Sequence, residues 1–310
     1  MTLLRHKRLA NAIKALVKEH HEWRQGCINI LAAENVSSPS VREIVASDLM
    51  HRYSEYEAHD IGKRWDEGGR YVIEIERIAE DAAKKLFKAK HVELRPVSGH
   101  VAIASVIMSM VGVGGRSLEV KGANGGHEWY YLAKHLKPVS YTPDWLPFDT
   151  AEWNIDVEGA KRKIRDAKPS LIILGASFYL FPHPTREMRE AADDVGSAIV
   201  YDGAHVLGLI AGKEWPNPLE RGADILTGST HKSFPGPQKG IVLSNDSEML
   251  QRVRMTIYPG MLTNHHLMNV AALGYAMLEF LDFGEAYARQ VGRNAKALAE
   301  SLHEHGLDVI

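Results

Sequence analysis

The sequence predicts an α/β protein built on a mostly parallel sheet with helices on both faces. Three observations carry that expectation. Short apolar runs recur at residues 93–97, 117–120, 171–174, 198–201, 225–228 and 240–243. Stretches with the three- and four-residue spacing of helices lie between them, and strands alternating with helices imply crossover connections. Most of the runs are apolar at nearly every position, as strands covered on both sides must be, whereas a half-solvated strand would alternate.

Taken in order, residues 6–31 read as an amphipathic helix, with Leu9, Ile13, Leu16 and Val17 on one stripe. Ser40 followed by Glu43 resembles a capping box that opens a helix over 41–50. Residues 71–87, rich in Glu, Ala and Lys, form a further helix. The intervening stretch 53–70 is rich in charge and glycine and has no period, and so long a loop within a compact domain is usually functional. Residues 266–305 are helical almost without a break, with an apolar face of Ala271, Ala272, Met277, Leu278 and Leu281, until Gly306. Residues 307–310 look like the start of a strand. These readings divide the chain into an N-terminal helical segment (1–50), a large domain (51–280) and a long helix (281–310).

Composition narrows the function classes. Of 310 residues, 45% are hydrophobic and 25% charged, with a net charge of -2, which is ordinary for a globular chain and excludes disordered or collagen-like polymers. Basic and acidic residues are mixed throughout, so no basic stripe argues for nucleic acid. No run of about 18 apolar residues argues for a membrane span, and the N-terminus lacks the continuous apolar core of a signal peptide. Cys27 is the one cysteine; it rules out an intrachain disulfide and a cysteine-rich metal site, and fits a reducing, cytoplasmic setting. None of the 16 histidines falls in H-E-x-x-H, so zinc hydrolysis is disfavoured, and no site for a metal is expected. The chain has no G-x-x-x-x-G-K-[ST], and Gly112, Gly114 and Gly115 do not make G-x-G-x-x-G.

The chemistry is carried by a few segments. In residues 222–240, GADILTGSTHKSFPGPQKG, a buried strand runs into Ser229, Thr230, His231 and Lys232. Ligands of open parallel sheets bind at the carboxyl ends of strands, and an amine there, partly desolvated, can stay neutral and attack an aldehyde. Asp202 ends the apolar run 198–201, and His205 follows by three; a carboxylate at a strand end can keep a pyridine nitrogen protonated. Ser98, Gly99 and His100 stand between a strand and a helix, where free N–H groups and the helix dipole suit a phosphate. His127, after Gly125 and Gly126, could stack on an aromatic ring.

The segments LAAENVSSPSV, HRYSEYEAHDIGKR, RPVSGHVA, GGHEW, YDGAHVLGLIAG and TGSTHKSFPGPQKG resemble serine hydroxymethyltransferases, in order and at similar spacing, over nearly the whole chain. The resemblance implies the large domain of a type I pyridoxal-phosphate enzyme, the fold of the aspartate aminotransferases. The C-terminal small domain that the family carries, with its carboxylate-binding arginine, is not in this sequence, which implies either a fragment or another means of holding the carboxylate, and an expectation of cofactor binding with weak or absent turnover.

The resemblance further implies that Lys232 carries pyridoxal 5'-phosphate as a Schiff base, flanked by Ser229 and His231, and that Asp202 partners the pyridine nitrogen. His127 would stack on the ring, and Ser98, Gly99 and His100 would cradle the phosphate. His205 and Ser177 would sit near the phenolic oxygen, and Glu55 would transfer protons at the substrate hydroxyl. Tyr53 would reach the site of a second subunit, because the family builds its sites across a homodimer interface. Serine or glycine and a reduced pterin, of the tetrahydrofolate or tetrahydromethanopterin type, are the implied substrates.

The sequence departs from the family at Ala33, where a serine is usual, at Trp65 and Asp66, where paired tyrosines are usual, and in the turn 259–266. These changes suggest a divergent branch. The competing readings are an aldolase acting on a β-hydroxy amino acid without a pterin, a cysteine desulfurase, which Cys27 is badly placed to serve, and an inactive dimerisation partner of the same fold.

Overall fold

A computed structural model describes residues 2–56, 60, 62–127, 129 and 141–309. Residues 57–59 and 61 of the predicted 53–70 loop, Glu128 of the Gly-Gly-His segment, and Ile310 lie outside the described residues. The chain forms two compact units, Met1–Ala32 and Ala33–Ile310.

The first unit is helix α1, Thr2–Gln25. It ends six residues before the predicted boundary, because Gly26 begins a turn in which the Gly26 and Cys27 amides bond back to Trp23 and Arg24 carbonyls. Leu9, Ile13, Leu16 and Val17 are exposed within this unit.

The second unit begins with α2, Pro39–Val45, whose cap is Ser38 rather than Ser40: the Ser38 hydroxyl accepts from the Val41 amide at 3.2 Å. Pro39 takes the first helical position, which needs no N–H. Residues 48–51 follow as a separate 3-10 turn, so the predicted 41–50 helix is two pieces. Helix α3, Arg70–Phe87, matches its prediction to one residue.

Seven described strands make the main sheet: β1 (His91–Glu93), β2 (Arg116–Glu119), β3 (Thr142–Trp145), β6 (Leu171–Leu174), β7 (Ala198–Asp202), β8 (Ile225–Ser229) and β9 (Gly240–Ser244). Their order is β1-β9-β8-β7-β6-β2-β3. All are parallel except β9, which runs against both neighbours. A short hairpin of β4 (Phe148–Asp149) and β5 (Asn154–Ile155) stands apart. Strand β1 lies earlier than the predicted 93–97, since Pro96 has no N–H for a ladder. Strand β3 escaped prediction because its sequence, Thr-Pro-Asp-Trp, has neither an apolar run nor alternation.

The further α-helices among the described residues are α4 (Gly99–Met110), α5 (Val157–Ala167), α6 (Thr185–Asp193), α7 (Leu207–Ala211), α8 (Ser247–Met255) and α9 (Leu267–Glu304). Two apolar clusters occupy the two faces of the sheet. One gathers Leu118, Ile172, Leu174, Ile199 and Leu226 with α3 and α9; the other gathers Ile173, Val200, Ile225 and Val242 with α4 and α8. Helix α9 is long and apolar enough to cross a membrane by length and composition. Its packing accounts for that: Val270, Leu273, Met277 and Phe280 are buried in the core, and Gly274 lets it approach Ala79 of α3, where a Cβ would come within 2.8 Å. Residues 307–309 make no strand.

Candidate active site

The carboxyl ends of β7 and β8 and the amino end of α4 meet at one cavity of about 210 Å³. Ser98, Gly99, His100, His127, Ser177, Asp202, His205, Ser229, His231 and Lys232, all named from the sequence, line it. Two further lining residues, Trp129 and Ala204, were not anticipated. Trp129 carried a signal, a large aromatic two residues after His127.

Close packing brings these elements together. A Cβ on Gly99 would lie 2.0 Å from Ser229 Oγ, so only glycine lets α4 start against the end of β8. A Cβ on Gly240 would lie 2.2 Å from the Ser98 carbonyl, which holds β9 under the same turn. Ser98 caps α4, its hydroxyl accepting from the Val101 amide at 3.2 Å. Gly175, at φ +93°, turns the chain beyond β6 where a Cβ would strike the Asp202 carbonyl at 2.0 Å.

The Lys232 Nζ lies 3.1 Å from His205 Nε2. Burial lowers the pKa of Lys232, against an opposing pull from Asp202. Burial also pushes His205 down to about 4, helped by the Lys232 charge, so its imidazole is neutral. Asp202 is buried, and burial pushes its carboxyl up to about 6, against the Ala204 amide, the Lys232 charge and the Thr227 hydroxyl. Its Oδ1 accepts from Ala204 N at 3.1 Å and from Thr227 Oγ1 at 3.5 Å, while Oδ2 makes no hydrogen bond among the described residues. His127 Nδ1 lies 2.8 Å from Ser177 Oγ, and its ring packs on Trp129 with centroids 4.4 Å apart. The pKa of His127 is lowered by burial first, then by Lys232 and His100.

Behind the lysine, Asn35 Nδ2 donates to the Lys232 carbonyl at 2.7 Å and to the Tyr287 hydroxyl at 3.1 Å. This contact was not read from the sequence, in which 197 residues separate the partners.

Tyr53 and Glu55 do not line the cavity. Tyr53 is 60% exposed. Glu55 Oε2 accepts from the Tyr258 hydroxyl at 3.1 Å, and the Glu55 amide donates to Asp66 Oδ2 at 3.1 Å. Asp66 thus anchors the backbone beside Glu55, and Trp65 is 66% exposed. A buried ionic cluster fastens this loop: Arg64 pairs with Glu76, and Glu76 Oε1 lies 2.7 Å from His265 Nε2 in the turn 259–266. Lys239 Nζ donates to the His265 carbonyl at 2.7 Å, and Arg95 bonds Glu93 at 2.7 Å.

The donor set fits pyridoxal phosphate. Asp202 keeps one carboxylate oxygen for a ring N–H, the first turn of α4 opens beside Gly99 for an anion, and His231 Nδ1 is buried with no hydrogen-bond partner among the described residues. With an amine already at hand in Lys232, the molecule is a pyridoxal-phosphate enzyme of the aspartate aminotransferase fold type.

The family model for serine hydroxymethyltransferase matches residues 7–310. The serine hydroxymethyltransferase of Methanopyrus kandleri is 43% identical over 300 residues, covering 97% of this chain and 69% of that protein. That of Methanothermobacter marburgensis is 45% identical over 298 residues, covering 96% and 70%. Among solved structures, the L-threonine transaldolase of Pseudomonas fluorescens, in its internal aldimine state, superimposes with a TM-score of 0.90 at 28% identity, covering 100% of this chain and 71% of that one. The chain belongs to the serine hydroxymethyltransferase family. Members of that family are pyridoxal-phosphate transferases that interconvert serine and glycine.

Proposed function

We propose that this chain interconverts serine and glycine by one-carbon transfer to and from a reduced pterin, with Lys232 as the attachment point of pyridoxal phosphate. The observation that carries the reading is the Lys232 amine, 3.1 Å from a neutral His205 and facing the buried Asp202. When bound, the cofactor supplies an electron sink for the pair left on the substrate Cα.

The remaining work falls to the chain. Partial burial keeps a fraction of Lys232 neutral, and only the neutral amine is a nucleophile. The neutral His205, whose Nε2 lies 3.1 Å from the Lys232 Nζ, accepts a hydrogen bond from the amine and orients it in the cavity. Asp202, ionised at neutral pH, would hold a proton on the pyridine nitrogen, and its burial strengthens that pairing. Ser98, Gly99 and His100 hold the phosphate at the amino end of α4. His127 forms a wall of the cavity, fixed by Ser177, and His231 and Ser229 close its floor.

Glu55 moves the proton at the substrate hydroxyl, and Tyr53 supports it. Neither lines the cavity of its own chain, which favours a homodimer in which each subunit lends both groups to the other. The single cysteine supports a reducing compartment such as the cytoplasm. A second reading, aldol cleavage of a β-hydroxy amino acid without a pterin, is favoured by the likeness to a threonine transaldolase.

Two measurements test the assignment. Lys232→Ala is expected to abolish the visible absorbance that develops when pyridoxal phosphate is added to the protein; an unchanged spectrum overturns the attachment site. Glycine formation from serine is expected to rise on adding tetrahydrofolate or tetrahydromethanopterin, and the same rate without either pterin favours the aldolase.

A further inference from the structure

A further buried carboxyl, linked to the cavity through Tyr141 and Trp129, takes no part in the mechanism above. Glu119 ends β2 and is 1% exposed. Its Oε1 stands 2.5 Å from Ser117 Oγ and 3.2 Å from the Tyr141 hydroxyl, while Oε2 is buried with no hydrogen-bond partner among the described residues. The Tyr141 hydroxyl is also 2.9 Å from the carbonyl of Trp129, the residue whose ring packs on His127.

Counting protons decides how this chain is wired. Tyr141 has one hydroxyl proton and faces two acceptors. An ionised Glu119 would take that proton and leave the Trp129 carbonyl without it, and would also bury a charged oxygen that nothing in the described structure solvates, at a steep cost. A protonated Glu119 donates to the Tyr141 oxygen instead, and every hydroxyl then has an acceptor. Burial accordingly pushes the carboxyl up to about 7, opposed by Ser117 and Tyr141.

We propose that Glu119 is a positioning residue for the His127 wall: its carboxyl donates to Tyr141, which frees the tyrosine's only proton for the Trp129 carbonyl and sets the Trp129 ring against His127. This rests on the reading that His127 lines the cofactor. The groups facing Glu119 are Ser117 on its own strand, Tyr141 at the entry to β3, Trp145 opposite it on β3 and Ile173 opposite it on β6. The nearest charges on β3 are those of Asp144, which Lys163 neutralises at 2.7 Å. His127 and His100, the imidazoles at the other end of the chain of contacts, both have their pKa lowered by burial, His127 also by Lys232 and His100.

The test follows Trp129 emission, read as the difference between the protein and Trp129→Phe, from pH 5.5 to 8.5, in cofactor-free and cofactor-loaded protein. The emission is expected to change with a midpoint near neutrality, and kcat for serine cleavage to fall about two- to tenfold over the same range, the worth of one hydrogen bond. Glu119→Gln cannot ionise and its amide still donates to Tyr141, so both limbs are expected to vanish. Glu119→Leu, which donates nothing, is expected to show the high-pH emission at every pH. Emission and kcat limbs that persist in Glu119→Gln overturn the proposal. If Lys232→Ala has failed to remove the cofactor absorbance, the assignment of the cavity fails instead, and the emission limb in cofactor-free protein still reports on Glu119.

Discussion

At the scale of single residues, Asp202 makes a prediction with two opposite signs. Its carboxyl titrates near 6 in the folded chain against an ordinary value of 3.8. Between those values the native state binds the extra proton, so the stability owed to this group falls as pH rises through that window. Cofactor-free protein is expected to show that decline in its urea midpoint, and Asp202→Asn to lose it. Cofactor affinity runs the other way. The carboxylate is the form that pairs with a protonated pyridine, so the Kd for pyridoxal phosphate is expected to rise as pH drops below about 6. Asp202→Asn is expected to bind about ten- to a hundredfold more weakly at pH 7, the worth of a charge-assisted hydrogen bond; equilibrium titration by absorbance measures both.

At the scale of elements, Gly99 and Glu76 are the joints to test. Gly99→Ala puts a methyl group 2.0 Å from Ser229 Oγ and 3.0 Å from its Cβ, so α4 must withdraw from β8. A loss of about 1–3 kcal/mol in unfolding free energy, with weakened cofactor binding, is expected. Glu76→Ala removes the carboxylate shared by Arg64 and His265, whose side chains are both 3% exposed. Leaving those groups buried without it is expected to destabilise by about 3–5 kcal/mol in denaturant titration.

The same elements show what a sequence displays and what it hides. Strands β6 to β9 were legible because covering on both faces forces continuous apolar runs. The lysine and the aspartate were legible because each follows or ends such a run, and the Ser98 turn because Ser-Gly stands at the start of a helix. Strand β3 was not, since Thr142, Pro143 and Asp144 carry no periodicity. The Asn35 contact to the Lys232 carbonyl and the Arg64–Glu76–His265 cluster were hidden for another reason: they join distant segments by tertiary packing alone, and no local pattern marks them. Ser40 misled because a cap motif fits two serines two residues apart, and Pro39 selects the first.

At the scale of the whole molecule, the placing of Tyr53 and Glu55 away from their own cavity has a direct test. If each subunit lends them to the other, Lys232→Ala and Glu55→Gln are separately inactive, yet mixing them under subunit exchange creates dimers with one intact site. Activity is expected to return to about a quarter of the unmodified enzyme, because half the dimers are mixed and each has one working site of two. No recovery, with exchange verified by mass, rules out shared sites.

The reversed strand β9 bears on how the protein comes to be made. It fills the gap between β1 and β8, pairing His91 with Ser244 and Ile225 with the same residue. The Ser98 turn and the lysine segment are far apart in sequence, and the strand that packs under their junction, with Gly240 against the Ser98 carbonyl, leaves the ribosome after both. Such long-range closure is slow, and until it happens there is no anchoring point for the phosphate next to the amine. A vitamin-derived ligand that binds only the closed form then acts as a late clasp, raising the yield of folded chains by mass action. Cells short of that vitamin would accumulate less of the protein, not just less of its activity.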